Sequence, residues 1–213
     1  MRRYLTILIG FLSIANLAFA QNDELKEKTV TLYGAANRLG LNTYDFATGS
    51  ALPLKEAGYN PKTIHLGYLY GNVNKSTLLV PASKAYTTFN NDITNMITSW
   101  GKDRNDGVLI NIGNEIEAIK AYNSAETGAD AEKLYFEQLE KISAKSGYNR
   151  NINGPSDKIS EVKTGDIIIF KSEVLAPYYL IKVLKVVPGH AGEIQMEIKG
   201  IAIEKKSKKK KKN

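Results

Sequence analysis

His65 and His190 are the only histidines of this 213-residue chain, and Asp45, Asp92 and Asp166 are the acids that could be set beside them. A hydrolytic enzyme built from these groups would need at least two of the five converging in a cleft, one to move a proton and one to orient it. Asp45 and His65 lie in neighbouring β-like segments and are the pair best able to meet across strands. No motif around them completes the chemistry. The sequence has no Gly-x-Ser-x-Gly elbow, no His-Glu-x-x-His, no calcium-loop spacing and no phosphate-cradling glycine loop. It has no cysteine, which excludes thiol catalysis, disulfides and a lipid anchor on a lipobox cysteine. The carboxylate pairs Glu115/Glu117 and Glu132/Glu137 fall on helical segments, where charge is normally a solvated face, whereas glycosidase chemistry needs carboxylates on facing walls. Tyr33, Tyr44, Tyr59 and Tyr122 could offer a stacking platform for a glycan, although most tyrosines in strands are half-buried. The expectation is therefore no catalytic residue, no metal and no cofactor, with Asp45 and His65 kept as weak binding candidates.

The other binding candidates are the lysines of the terminal run, Lys205, Lys206, Lys208, Lys209, Lys210, Lys211 and Lys212. Such a run repels itself and is expected to be a disordered tail over 205–213. The formal charge of +7 is concentrated there. Removing Arg2 and Arg3 leaves +5, and setting aside the seven tail lysines leaves −2 for the body. A nucleic-acid reader would carry a distributed basic surface, so no specific nucleic-acid recognition is expected. The tail is either a solubilising end or a hold on a cell-envelope polyanion or glycan.

At the other end, Arg2-Arg3, the apolar stretch Leu5 to Leu17 and Ala18-Phe19-Ala20 have the layout of a cleaved secretory signal over residues 1–20. Export to the periplasm, cell surface or exterior is the expected localisation, with no transmembrane segment after cleavage. Residues 21–28 are polar enough to be a tether, and 29–204 is expected to form a single domain of a size that burial alone can stabilise.

Within that domain Thr29 to Ala36 alternates as a first strand, and Asn37 to Gly58 reads as irregular, anchored by Tyr44 and Phe46. Thr63 to Tyr70 and Ser76 to Val80 read as a hairpin. Tyr86, Phe89, Ile93, Met96, Ile97 and Trp100 form one helical stripe, and Ala131, Leu134, Tyr135, Leu139 and Ile142 form another, opened by a Thr127/Asp130 capping box. Tyr148 to Asp157 is rich in Asn, Gly and Pro and reads as a loop. Ile167 to Lys171, Tyr178 to Val187 and Ile194 to Ile203 read as a three-stranded meander whose middle strand is apolar on both faces. In the last of these the apolar phase shifts at Gly200, which predicts a bulge there, and Gln195, Glu197 and Lys199 are expected outward.

Several of these segments share a pattern. Asp45-Phe46-Ala47-Thr48-Gly49, Ile64-His65-Leu66-Gly67-Tyr68-Leu69-Tyr70-Gly71 with Ser76-Thr77-Leu78-Leu79-Val80-Pro81-Ala82, and Gly165-Asp166 to Phe170-Lys171 with Tyr179-Leu180-Ile181-Lys182-Val183 resemble the motifs of uncharacterised secreted or surface proteins of Bacteroidetes. His65 stands where that pattern has an acid, and Val80 where it has serine. The resemblance implies an exported domain and brings no catalytic activity with it.

The expected fold is α+β: a curved antiparallel sheet, sandwich- or barrel-like, of about five to seven strands, with two principal helices on one face. The rod ending at Trp100 is expected to roof the C-terminal meander. The expected role is that of a non-catalytic secreted or envelope-associated protein binding a partner or polymer. The alternatives are an envelope hydrolase acting on glycan or peptide, and polyanion binding through the lysine tail.

Overall fold

The computed structural model describes residues 23–88, 91–175 and 178–201. It is α+β and sandwich-like, and neither sheet closes into a barrel. In chain order the strands are β1 (Leu25–Tyr33), β2 (Leu41–Asp45), β3 (Ser50–Pro53), β4 (Leu66–Gly71), β5 (Lys75–Leu79), β6 (Gly107–Gly113), β7 (Lys158–Ile159), β8 (Ile167–Ser172), β9 (Tyr178–Val187) and β10 (Glu193–Ile201). The α-helices are α1 (Leu54–Ala57), α2 (Asn91–Ser99), α3 (Ile116–Ser124), α4 (Gly128–Lys141) and α5 (Arg150–Asn153). One sheet has the order β1-β10-β9-β8-β6, the other β3-β2-β4-β5-β7, with antiparallel pairing throughout.

The ten strands among the described residues exceed the five to seven expected because the N-terminal half supplies a sheet of its own. Leu41–Asp45 and Ser50–Pro53, expected to be irregular, pair as a hairpin around the turn at Phe46 to Gly49. Gly49 takes φ +65 in that turn, a left-handed conformation that suits glycine. Residues 25–28 of the expected tether are strand, since β1 pairs with β10 from Leu25↔Ile201 onward.

The two sheets pack face to face over a core that includes Val30, Leu32, Leu66, Tyr68, Ile168, Phe170, Ile181 and Met196. Each sheet then has an outer face to cover, so helices lie on both sides instead of one. Ile93, Ile97 and Trp100 cover Leu69 and Leu79 of the N-terminal sheet and Ile64 just before it. The meander is roofed by α3 and α4, whose Tyr122, Ala131 and Tyr135, with Ile142 just past α4, pack on Ile167, Ile169 and Leu180. The rod ending at Trp100 is thus amphipathic as expected but roofs the opposite sheet. Alternation marks a face as buried and says nothing about which neighbour buries it. Phe89 of that stripe lies outside the described residues.

The middle strand of the meander behaves as its composition demands. Tyr179, Ile181 and Val183 of β9 face the opposing sheet, while Tyr178 and Leu180 face the helices. The bulge falls at Leu184, between the pairs Met196↔Val183 and Gln195↔Lys185, and not at Gly200. Around Gly200 the register with β1 is unbroken, and Ile201 simply points to the helix layer beside Leu25. Gly200 is glycine because the Tyr179 ring lies against its Cα, where a Cβ would collide with Cδ1 and Cε1. The capping box is present as expected: Asp130 N–H donates to Thr127 Oγ1, and Thr127 N–H donates to Asp130 Oδ2.

Candidate functional site

The turn after β2 brings Asp45 and His65 together, both buried, with Oδ1 and Nδ1 3.6 Å apart. Each is already engaged by backbone. Asp45 Oδ1 accepts from Ala47 N–H at 2.8 Å and Thr48 N–H at 3.3 Å, and Oδ2 accepts from the Thr48 hydroxyl at 2.7 Å. This is the local Asx geometry that closes a turn. His65 Nδ1 accepts from Phe46 N–H at 3.3 Å, so the proton of the neutral ring belongs on Nε2. Nε2 is buried with no partner among the described residues. Burial pushes the His65 pKa down, with Asp45 opposing it in part.

That direction has a consequence for stability. The folded ring resists protonation below 6.5, whereas the unfolded ring accepts a proton there. The stability tied to neutral His65 is fully present above pH 6.5 and is lost as pH falls below it, by at most about 1.4 kcal/mol per pH unit. Asparagine can place an acceptor near Nδ1 without titrating. Urea midpoints at pH 7.5 and 5.5 are expected to fall more for the native chain than for His65→Asn; equal falls would remove His65 as the cause. Asp166 acts in the opposite direction, because burial raises its pKa and its penalty is relieved on acidification, so the comparison with the variant isolates the histidine.

The remaining members of the five do not join this pair. Asp166 is buried in its own turn, accepting from Lys163 N–H at 2.9 Å and Asn111 Nδ2 at 3.0 Å. Asp92 is exposed in the first turn of α2. His190, exposed in the β9–β10 turn, has Nε2 3.2 Å from Asn72 Oδ1. Of the four tyrosines considered for stacking, Tyr44 and Tyr122 are buried and Tyr59 is exposed. Glu115 and Glu117 line one groove between α3 and α4, where the hydrogen bond from Lys145 Nζ at 2.8 Å is the main cause holding Glu115 below its ordinary pKa. Lys205, Lys206, Lys208, Lys209, Lys210, Lys211 and Lys212 lie outside the described residues.

A concave site does form beside the Asp45 turn. A cleft of about 320 Å³ opens at one end of the sandwich, between the start of β1, the end of β10 and the β2–β3 turn. Lys26, Lys28, Thr48, Gly49, Ile198 and Gly200 are among its lining residues, and Tyr44, Phe46 and Tyr179 form its floor. The floor rings brace one another: Phe46 lies 4.9 Å from Tyr44, 4.2 Å from Tyr179 and 5.0 Å from Phe170 between ring centroids. Burial, with a smaller contribution from Asp45, pushes the Tyr44 hydroxyl up to about 12, so the floor stays neutral at physiological pH. The Lys28 ammonium reaches across the mouth to Gly49, where an added Cβ would sit 2.6 Å from Nζ.

Assigning residues 21–28 to a tether hid these lysines. Continuing the Leu32, Val30 alternation two steps toward the N-terminus places Lys28 and Lys26 on the same inward side, which is the signal that could have found them.

No protein family matches the chain, and no curated protein does. Among solved structures the chain is similar to a DUF4466 family protein from Parabacteroides merdae, a member of the Bacteroidetes, at 13% identity and a TM-score of 0.44. The match covers 84% of this chain and 53% of that one, so this chain spans about half the length of that relative.

Proposed function

We propose that this is an exported, non-catalytic binding protein of the cell envelope that engages a polymer or partner at the cleft beside the Asp45 turn. The secretory layout of residues 1–20 and the motif resemblance to exported Bacteroidetes proteins support the location. One observation carries the binding reading over the hydrolase one: Asp45 and His65, the pair best placed for proton transfer, are both occupied by backbone donors of a single turn. A general base needs its acceptor atom free toward substrate. The adjoining cleft offers an apolar floor with a polar rim, the usual make-up of a ligand site.

The test uses the full mature chain against isolated envelope fractions and a glycan panel. Ala47 lines the cleft, and Ala47→Trp would fill it while keeping both cleft lysines in the sequence. Retention is expected to fall on the order of tenfold in that variant, with no turnover of glycan or peptide by the native chain. Undiminished retention would remove the cleft as the site. Turnover abolished by Asp45→Asn would replace this reading with a hydrolase.

A further inference from the structure

We propose that the cleft takes an acidic polysaccharide whose carboxylates are read by Lys26 and Lys28; this rests on the cleft being the binding site. The inward side of β1 runs Leu32, Val30, Lys28, Lys26: the first two are buried in the inter-sheet core, the last two exposed. Inward positions of a sandwich normally carry apolar side chains opposed by the other sheet. Here the opposing sheet stops short at the β2–β3 turn, and the two positions carry cations instead. Among the described residues neither lysine has an ion-pair partner, while the intervening Glu27 turns to the other face and meets Lys199 Nζ at 3.1 Å.

The spacing selects the ligand. Two residues along a strand are roughly 7 Å apart, so the two lysines leave β1 as a row along the strand. A row fits charges spaced along a chain better than a single small anion. Ile198 adds aliphatic surface suited to a sugar ring. A nucleic-acid strand would require exposed aromatic faces on which bases stack, and the rings here are buried against one another.

The experiment titrates the full mature chain and its Lys26→Gln/Lys28→Gln variant, tail intact in both, with polygalacturonate, a neutral linear galactan and single-stranded polynucleotide at low and high salt. The native chain is expected to prefer polygalacturonate and weaken with salt, and the variant to bind it on the order of tenfold more weakly with an unchanged unfolding midpoint. Equal affinity of native and variant chains overturns the assignment, as does equal binding of the neutral galactan. Tighter binding of the polynucleotide with the same lysine dependence also overturns it. If Ala47→Trp abolishes retention on envelope fractions while the double variant keeps full affinity for polygalacturonate, the cleft survives as a site and this ligand class does not.

Discussion

Replacing Phe170 with alanine is expected to destabilise the fold by about 3–5 kcal/mol, the range for deleting a buried aromatic ring. Phe170 is fully buried at the centre of β8, stacked on Phe46 at 5.0 Å and 6.1 Å from Tyr179. Its far side rests on the backbone at Gly107, where a Cβ would meet Cε2 at 2.6 Å. Both sheets and a neighbouring strand therefore frame the site, and little can move in to refill it. At 2–4 °C per kcal/mol for a domain of this size, the thermal midpoint is expected to drop by roughly 10 °C. Phe46 also loses its support, so the cleft floor should loosen and ligand retention fall with stability. A loss below about 1 kcal/mol by urea denaturation would mean that the aromatic cluster is not the centre of the core.

The second large effect is expected at Lys199. Its side chain is buried between β10 and the helix layer, with Nζ 3.1 Å from the Tyr122 carbonyl, 3.5 Å from the Ala125 carbonyl and 4.6 Å from the Tyr122 ring centre. The carbonyls at the end of α3 have no partners within the helix and carry its partial negative charge, so a cation there is favourable. Lys199→Met preserves most of the packing volume and removes every donor. The expected cost is about 2–3 kcal/mol, dominated by the stranded carbonyls, because Glu27 on the other side of the ammonium is half exposed and its pairing is screened. Equilibrium unfolding checks this. A shift within about 0.5 kcal/mol, the level of an ordinary surface substitution, would make Lys199 a bystander.

Lys199 also marks where pattern reading reaches its limit. The alternation of β10 correctly separates Ile194, Met196 and Ile198 from Gln195, Glu197 and Lys199, and the natural inference is that the polar set meets water. Glu197 and Lys199 instead meet Tyr122 of α3, and Lys199 is accepted there because the end of a helix supplies acceptors. The meander was legible because its β-branched runs are long and divided by strong turn residues, and α4 because its capping box is local. The β2–β3 hairpin was not, since its strands are short and their burial comes from partners far along the chain. The meeting of Asp45 with His65 could be anticipated from the two segments. That Phe46 N–H, a backbone group, would claim Nδ1 could not.

The pairing of β1 with β10 joins segments from opposite ends of the described chain. Sheets closed by such distant partners assemble slowly, on the order of milliseconds to seconds, because the largest loop must be drawn together before any of the pairing is gained. Until β1 arrives, β10 stands as an open edge with the apolar row Ile194, Met196 and Ile198 on one face, the kind of ribbon to which other half-made chains adhere. Refolding yield is therefore expected to fall with protein concentration more steeply than native solubility does.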